Sequence, residues 1–348
     1  MTEVVRVDRH HPNPSDIARA AECLRRGGLV AFPTETVYGL GVHALDREAV
    51  RKLFDAKGRP ADDPLIVHVA DFSQIASLAS TLPEPTTSLA ASFWPGPLTL
   101  ILPRAVTVPL EVTAGLQTVA VRIPAHPIAR ALLVAARLPI AAPSANLFSR
   151  PSPTRAAHVI HDLNGRIDMV LDGGATDVGV ESTVVDVTVD PPQVLRPGAI
   201  TLEALQRIVP GVRIASPSDP NMPMSSPGLL AKHYAPRAPL TLYRGSAGAA
   251  REALVVAARA AIARRQRVGV LATIGDADLL DGIPVVVASL GPDDDAERAA
   301  ERLYCALREL DIANVDVILA REAPHDQGLW RALRDRLRRA AADVVAVD

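Results

Sequence analysis

The stretch LVAFPTETVYGLG at residues 29–41 decides how this chain folds. It opens with an apolar run of strand length, which the polar string PTETVY interrupts before two glycines follow. A helical pattern precedes it at residues 15–28, and a second helical pattern at 46–57 and the strand-like PLIVHV at 64–69 come after it. The order helix, strand, loop, helix, strand indicates a mixed α/β domain.

The same alternation continues along the chain. Further strand-like runs lie at residues 98–103, 118–124, 168–174 and 182–188, with helical patterns at 127–137 and 154–164. We expect a first domain over residues 1–207. Residues 208–238 are rich in Pro, Ser and Gly and lack periodicity, so they are predicted to be a linker. Beyond them, strand-like runs alternate with Ala-, Arg- and Leu-rich helices, which favours a smaller parallel α/β domain over residues 239–348.

Composition excludes several classes of protein. The 348 residues are 48% apolar and 22% charged, as in globular domains. A net charge of -2 and only 3% aromatic residues give neither a global basic surface nor repeated stacking platforms for nucleic acid. Cys23 and Cys305 lie far apart and have no zinc-like spacing. No apolar run reaches roughly 18 residues, so we expect a cytoplasmic protein with no membrane segment.

Polar strings interrupt the apolar framework at the predicted strand ends, where ligands usually bind in α/β sheets. They are PTETVYGLG (33–41), KGRPADDPLIVH (57–68), PSANLFSRPSP (143–153), and ESTVVD through VLRPG (181–198). Lys57 and Arg59 place two positive charges close together, which suits a polyphosphate. For any single Ser or Thr in these strings, the alternative is a turn or a helix cap.

A dinucleotide-binding fingerprint is the competing interpretation of one string. Residues 39–44, GLGVHA, match G-x-G-x-x-A. The glycines of a true fingerprint follow the first strand almost directly, whereas PTETVY intervenes here. The sequence also has no G-x-x-x-x-G-K-[ST] string. Both a dinucleotide fold and a P-loop nucleotidase are therefore disfavoured, and any ATP must be held in another way.

Taken together, the polar strings resemble the YrdC-type threonylcarbamoyl-AMP synthase family in its longer, two-domain form. PTETVYGLG is nearly specific to that family, and Lys57-x-Arg59 before PLIVH, Ser144-x-Asn146 and FWPGPLTL at 93–100 complete the pattern. The strings SPGLLAKHYAPRAPL and LYCALRELD resemble the extension of the long form. The resemblance covers essentially the whole chain. It implies a YrdC-like mixed, twisted sheet with helices around a concave site, plus a smaller Rossmann-like parallel α/β domain.

The resemblance implies an L-threonylcarbamoyladenylate synthase, a nucleotidyltransferase. Such an enzyme forms threonylcarbamoyl-AMP and pyrophosphate from L-threonine, bicarbonate and ATP, with Mg²⁺ on the phosphates. Its product would pass to a tRNA threonylcarbamoyl transferase complex that modifies tRNA next to the anticodon. The protein ligands of the metal stay unknown, and direct contact with tRNA stays open. The alternative is a module that binds double-stranded RNA or tRNA without adenylation, which the net charge of -2 disfavours.

The similarity also implies residue roles. Residues implied to contact threonine are Thr34, His68, Arg122, Ala142 and Ser182. Residues implied to contact ATP are Lys57, Arg59, Thr118, Ser144, Asn146, Ser152 and Arg196, of which Lys57 and Arg59 are also the candidate catalytic residues. Structural alternatives exist for five charged or titratable side chains. Lys57 and Arg196 are surface charges in that alternative, His68 is a core histidine, and Glu35 and Glu181 cap backbone amides.

The predicted linker contains LLAKHYAP at residues 229–236, with Lys232, His233 and Tyr234 in a Pro-bounded segment. Tyr and His donate hydrogen bonds while covering apolar surface, and a labile carbamate benefits from exclusion of water. We therefore hypothesise that the linker folds over the first domain as a lid, with Tyr234 closest to the nucleotide or threonine. The alternative is an ordinary spacer whose Tyr packs on a domain surface.

Overall fold

The computed structural model describes residues 1–216, 233–323 and 325–348. The described chain divides into two compact units. Unit 1 contains residues 1–148, 152–177 and 181–216, and unit 2 contains residues 149–151, 178–180 and 233–348. Most of the predicted linker, including Lys232, lies outside the described residues. Two short segments of the first 200 residues thus belong to unit 2.

Unit 1 is built on a mixed sheet of 11 strands. In chain order these are β1 (Glu3–Arg6), β2 (Val30–Pro33), β3 (Tyr38–His43), β4 (Ile66–His68), β5 (Leu98–Pro103), β6 (Thr118–Arg122), β7 (Ile140–Ala141), β8 (Met169–Asp172), β9 (Thr183–Asp186), β10 (Gln193–Arg196) and β11 (Arg213–Ile214). Their order across the sheet is β1-β8-β2-β3-β7-β4-β6-β5-β9-β10-β11. The helices are α1 (Pro14–Arg25), α2 (Arg47–Lys57), α3 (Pro85–Phe93), α4 (Leu110–Thr113), α5 (Pro127–Ala136), α6 (Ala156–Leu163) and α7 (Leu202–Ile208). The expected mixed α/β fold is confirmed.

Local sequence explains where the elements of unit 1 begin and end. The Asn13 side chain accepts the amide of Ser15 at the start of α1, and the Asp46 side chain accepts the first amides of α2. Helix α2 ends at Gly58, whose φ of 62° is left-handed. All four residues of β2 are buried. A strand covered on both faces needs apolar residues throughout, and for that reason LVAF is a continuous run and not an alternation.

Strands β4 and β6 run parallel and in register, and they position the candidate site. Ile66 pairs with Ala120 and His68 pairs with Arg122, so the carboxyl ends of both strands meet. Thr118 begins β6 and lies at the opposite end of that strand from Arg122. At about 3.3 Å per residue, the two ends lie roughly 13 Å apart.

The glycines of the string GLGVHA lie inside β3, which runs antiparallel to β2. A Cβ added to Gly41 would come within 2.7 Å of Cε1 of Phe32 and 2.8 Å of Cγ2 of Ile140. Close packing between strands therefore explains this glycine. The string opens no helix at its first glycine, so the rejection of the dinucleotide fingerprint agrees with the structure.

Unit 2 holds a parallel sheet of five strands in the order β14-β13-β15-β12-β16. Its strands are β12 (Leu240–Arg244), β13 (Val268–Ala272), β14 (Val286–Ser289), β15 (Val317–Arg321) and β16 (Asp343–Ala346). Its helices are α8 (Ala247–Ala263), α9 (Ile274–Ala277), α10 (Ala296–Ile312) and α11 (Gly328–Ala340). The expected second, parallel α/β fold is confirmed. Among the residues that the structure describes, no helix combines the length and hydropathy needed to cross a bilayer.

The start of the predicted linker differs from expectation. Strand β11 lies within it and pairs parallel with β10, Arg213 opposite Gln193 and Ile214 opposite Val194. A strand of two residues is too short to show an alternating pattern, so hydrophobic periodicity could not predict it. The ordered sheet of unit 1 extends at least to this strand.

Candidate active site

Arg122 is the centre of the site at the carboxyl ends of β4 and β6. It is only 3% exposed, and three acceptors fix its guanidinium. Nη2 donates to Oε1 of Glu35 at 2.7 Å, Nη1 donates to Oγ1 of Thr36 at 3.1 Å, and Nε donates to the Gly96 carbonyl at 3.3 Å. An arginine held in this way presents its planar donors in one orientation, which suits a carboxylate ligand.

The loop after β2 is held by its own threonines. Oγ1 of Thr34 lies 2.8 Å from Oγ1 of Thr36 and donates to the Val37 carbonyl at 2.7 Å. Glu35, between them, is buried, and burial alone would raise its pKa. The adjacent Arg122 guanidinium outweighs burial and holds the pKa of Glu35 below its usual value. Glu35 is therefore the ionised partner of Arg122, which goes beyond the capping role of the alternative interpretation.

His68 lies beside Arg122 in the next strand. It is 3% exposed, and its ring meets the Phe32 ring edge to face at 6.4 Å between centroids. Burial, followed by the positive charge of Arg122, lowers the pKa of His68 to about 3, so the imidazole is neutral near pH 7. Its Nδ1 has no hydrogen-bond partner among the described residues. The packing is that of a core histidine, and the location is that of a candidate ligand contact.

Lys57 lies at the last turn of α2 and is 2% exposed, so it is not a surface charge. Its Nζ donates to the backbone carbonyls of Ser144 and Asn146, both at 2.5 Å. Burial, and then the charge of Arg59, hold the pKa of Lys57 well below its usual value. The lysine thus fixes the backbone of the Ser-x-Asn segment and places a buried ammonium beside it.

Arg59 pairs with Asp63 in the loop between α2 and β4. Nη2 of Arg59 lies 2.8 Å from Oδ1 of Asp63 and donates to the Pro64 carbonyl at 2.8 Å, and Nε donates to the Asp63 carbonyl at 3.2 Å. Burial raises the pKa of Asp63 despite the neighbouring arginine. Arg59 is thus fixed to the backbone that leads into β4.

Arg196, an expected ATP contact, is hydrogen-bonded to Ser182, an expected threonine contact. Nε and Nη2 of Arg196 donate to the Ser182 carbonyl at 3.2 and 3.0 Å, and Nη2 also donates to Oγ of Ser182 at 3.1 Å. Oγ of Ser182 lies 2.8 Å from Oγ1 of Thr99. Oγ of Ser152 donates to Oε1 of Glu181 at 2.5 Å. Arg196 is buried, so the surface-charge alternative does not describe it.

Ala142 follows β7, and its amide donates to the Ile66 carbonyl at 2.9 Å. Ala142 is buried, and a Cβ added to Gly39 would lie 3.4 Å from the Cβ of Ala142. The preceding residue, Ala141, pairs with Val67 of β4. Ala142 thus lies next to the strand that carries His68, where a backbone contact with the same ligand was expected.

Four residues with structural roles in the site were missing from the residue-level expectations: Thr36, Asp63, Gly96 and Thr99. Each lies within a string that the sequence had already singled out, namely PTETVYGLG, KGRPADDPLIVH or FWPGPLTL. The sequence therefore indicated the right segments of the chain, although not these individual residues. The individual roles depend on pairing between strands, which local sequence does not reveal.

His233 and Tyr234 belong to unit 2. Tyr234 is buried and has a left-handed φ of 62°. Its ring centroid lies 5.5 Å from that of Tyr304, and the Arg336 guanidinium carbon lies 5.3 Å from it. The His233 amide donates to the Arg339 carbonyl at 3.0 Å. Such packing of the tyrosine is what the alternative, an ordinary spacer, predicts. The proposed folding of the linker over the first domain as a lid stays a hypothesis.

The chemistry of the site is dominated by fixed cations and hydroxyl groups. Within residues 1–216, 233–323 and 325–348, no group of three or more His, Cys, Asp and Glu side chains is arranged to hold a metal. The buried cations Lys57, Arg59, Arg122 and Arg196 are each oriented by backbone or side-chain acceptors. Such an arrangement is suited to binding and neutralising anions.

Comparisons with known proteins agree with this geometry. A family model described as "Telomere recombination" matches residues 22–198, and one described as "Threonylcarbamoyl-AMP synthase, C-terminal domain" matches residues 200–342. The threonylcarbamoyl-AMP synthase of Pyrococcus abyssi is 45% identical over 98% of each chain. That of Bacillus subtilis is 46% identical over 96% of this chain and 95% of its own.

The solved structure of P. abyssi Sua5 complexed with L-threonine has a TM-score of 0.93 and 43% identity, and the match covers 100% of both chains. Sequence and fold thus agree over both units. The chain belongs to the threonylcarbamoyl-AMP synthase family, in the form that carries the C-terminal domain.

Proposed function

We propose that unit 1 binds ATP and L-threonine in adjoining subsites and joins them through bicarbonate. Family membership makes the chain a threonylcarbamoyl-AMP synthase, a transferase of tRNA modification. One observation supports the two subsites most strongly. The parallel register brings His68 and Arg122 together, and Arg196, an expected ATP contact, is hydrogen-bonded to Ser182, an expected threonine contact.

The threonine subsite lies around Arg122. Its oriented guanidinium binds the substrate carboxylate, with Thr34 and Ser182 supplying hydroxyl groups. Ala142 offers backbone contacts from the adjacent segment. Nδ1 of the neutral His68, which has no partner in the described chain, accepts a hydrogen bond from the substrate. A buried polar atom without a partner costs about 1–3 kcal/mol, so a ligand donor at this point is favourable.

The ATP subsite uses the remaining cations and hydroxyl groups. Lys57 and Arg59 neutralise the phosphates and act as the catalytic pair, and Arg196 adds a third positive charge. The contacts from side-chain hydroxyl and amide groups come from Thr118, Ser144, Asn146 and Ser152. These groups replace the P-loop that the sequence lacks.

The reaction needs no protein nucleophile. The threonine nitrogen forms a bond to the carbon of bicarbonate-derived carbon dioxide and loses a proton, which gives a carbamate. A carbamate oxygen then attacks the α-phosphorus of ATP, and the bond to pyrophosphate breaks. Positioning of the two substrates and neutralisation of the phosphate charge supply the acceleration.

Magnesium fits this site as a phosphate-bound ion. Mg²⁺ retains several waters and commonly takes only one or two carboxylates from a protein. The described residues hold no group of three metal ligands, in keeping with such a weakly protein-bound ion. When bound, Mg²⁺ would neutralise phosphate charge, while Lys57 and Arg59 orient the same phosphates.

The product is a labile mixed anhydride, so it requires a partner that consumes it. We propose a tRNA threonylcarbamoyl transferase complex in the cytoplasm as that partner.

We also propose that His233 and Tyr234 belong to a lid over the site. In this division of the chain, residues 1–207 are the catalytic domain, residues 208–238 the linker and residues 239–348 the C-terminal domain.

Pyrophosphate release tests the proposal directly. The purified full chain is incubated with ATP and Mg²⁺, with each of the twenty amino acids singly, and with or without bicarbonate. Release is expected only when L-threonine and bicarbonate are both present. Equal turnover when either is omitted would contradict the assignment.

A further inference from the structure

Helix α10 carries the string LYCALRELD, residues 303–311, which the reaction itself leaves without a role. Besides residues 233–348, unit 2 contains two short segments, Ser149–Pro151 and Val178–Val180. Both segments make contacts with α10 inside this unit. What these contacts do for the enzyme follows from the residues that adjoin the two segments along the chain.

The first segment is held through Arg308. Its Nη2 donates to the Pro151 carbonyl at 2.5 Å, and the arginine is only 6% exposed. A second contact comes one turn along the helix, where Asp311 lies 3.8 Å from Nη1 of Arg150. The Ser149 carbonyl also accepts the amide of Ala235 at 2.7 Å. Every residue of this segment therefore has a partner in unit 2.

The second segment is held by close packing. Gly179 has a left-handed φ of 79°, and a Cβ built on it would lie 2.3 Å from the Ala300 carbonyl oxygen and 2.4 Å from Cα of Glu301. Both neighbours are helix backbone, which does not give way. Only glycine fits this point, and the segment lies directly against α10.

Each segment adjoins residues of the candidate site along the chain. The Pro151 carbonyl and the Ser152 amide share one peptide plane, so holding the first orients the second. Gly179 precedes Glu181 by two residues and Ser182 by three. The Ser152 hydroxyl donates to Oε1 of Glu181 at 2.5 Å and closes the arrangement. Helix α10 thus holds both chain segments that lead into this hydrogen bond.

We infer that Arg308 and Gly179 are positioning residues for adenylate formation. By holding the Pro151 carbonyl and the backbone at Gly179, α10 fixes Ser152 for ATP and, through Glu181, Ser182 for threonine. This role rests on the proposed function of Ser152 and Ser182. It gives the C-terminal half of the chain a part in catalysis without any catalytic side chain of its own.

The test compares three variants of the full chain. Arg308→Met keeps the apolar stem and removes every donor, whereas Arg308→Lys keeps a charged donor. The control is Leu310→Ala on the same helix, where Leu310 is buried and its Cδ2 would lie 3.0 Å from a Cβ on Gly269 of β13. For each variant, calorimetry gives the Kd of a non-hydrolysable ATP analogue, and thermal unfolding gives the Tm.

We expect Arg308→Met to raise the Kd of the analogue about tenfold, because small misplacements of contact groups are costly. Arg308→Lys should recover most of the affinity. Leu310→Ala should lower the Tm at least as much and leave the Kd within about twofold. An unchanged Kd in Arg308→Met, or an equal rise in Leu310→Ala, would overturn the positioning role.

The analogue is bound without turnover, so this comparison is independent of adenylate synthesis. A wild-type chain that binds the analogue yet forms no adenylate would contradict the proposed function alone. A wild-type chain that does not bind the analogue would contradict both.

Discussion

The proposed threonine subsite around Arg122 (the threonine end) and the proposed ATP subsite around Lys57 (the ATP end) hold their buried cations in different ways. At the threonine end, Arg122 is paired with the ionised Glu35 at 2.7 Å. At the ATP end, Lys57 is held by two neutral carbonyls, and it forms no ion pair with any carboxylate in the described part of the chain. One positive charge is therefore paired directly with a carboxylate, whereas the other has only carbonyl oxygens as direct partners.

The difference indicates what each end is built to bind. An arginine whose charge is already balanced selects its ligand more by the planar geometry of its donors than by charge. This suits a small carboxylate that must be recognised in one orientation. The buried ammonium of Lys57 has no directly bonded counter-charge, and burial, followed by the charge of Arg59, depresses its pKa despite Asp63 and Asp162. A polyphosphate supplies that counter-charge. ATP binding should consequently raise the pKa of Lys57.

The largest effect is expected for Lys57→Met, which keeps the stem and removes the charge. The affinity for ATP should fall about ten- to hundredfold, the equivalent of roughly 1.5–3 kcal/mol for a charge-assisted contact, while threonine affinity changes little. Calorimetry with each ligand alone measures both. Lys52→Met, an exposed lysine on the same helix, is the control. Equal losses for the two ligands in Lys57→Met would show that the ends are not separate.

The acid sensitivity of the threonine end gives the second prediction. Folded His68 has a pKa of about 3, against about 6.5 unfolded, so below pH 6.5 the unfolded chain binds a proton that the folded chain does not. The stability contribution is complete above pH 6.5 and is lost as pH falls towards 3. At pH 5 the loss should be about 2 kcal/mol.

This loss can be measured against His68→Gln, which does not titrate. Urea unfolding is followed by Trp94 fluorescence in a Trp330→Phe background at pH 8 and pH 5. The parent should lose about 2 kcal/mol more than His68→Gln over this range. The other buried histidines of the described residues, His126 and His233, are common to both proteins, so their effects cancel. Identical pH dependence would show that His68 is not buried as a neutral group.

Arg122→Lys tests geometry at the threonine end while keeping the charge opposite Glu35. The affinity for threonine should fall about tenfold, because an ammonium cannot reproduce the planar fork. The affinity for ATP should stay within about threefold. Titration of each ligand by calorimetry checks both values. Full threonine affinity in the lysine variant would mean that charge alone suffices there.

The smallest effect is expected for Tyr234→Phe. The substitution keeps the ring against Tyr304 and Arg336 and removes one hydroxyl group. If the lid hypothesis is correct, loss of a neutral hydrogen bond of about 0.5 kcal/mol should speed release of the adenylate about twofold. Rapid filtration measures the release rate. An unchanged rate would leave Tyr234 with only its packing role in unit 2.

The strands and helices around both ends could be predicted because apolar periodicity and capping residues are visible in short stretches of sequence. The apolar run before PTETVYGLG is buried on both faces, and α2 begins after its capping residue Asp46, where the pattern indicated. Helix α1 begins at Pro14, after the cap Asn13, just ahead of the predicted start at residue 15. Lys57, Arg59 and Arg196 were found as charged residues inside the polar strings, whereas Arg122 lies in the strand-like run at 118–124 and was named through the family resemblance. Their burial, which excludes the surface-charge alternative for Lys57 and Arg196, became visible only in the structure.

The pairings between distant residues could not be predicted. Arg122 and Glu35 are 87 residues apart, and Arg308 and Pro151 are 157 apart. Neither periodicity nor composition carries information on such contacts. The two-residue β11 and the membership of Ser149–Pro151 in unit 2 were missed for the same reason.

The position of β8 in the sheet has a consequence for the newly made chain. Strand β8 lies between β1 and β2 and pairs parallel with both, so these first strands have no direct bond to one another. During translation, residues 34–172 must be added before that gap can be filled. At about 5–20 residues per second, this takes roughly seven to thirty seconds. Through that interval the apolar β2 has an open edge, and an open strand edge is a template for pairing with another chain.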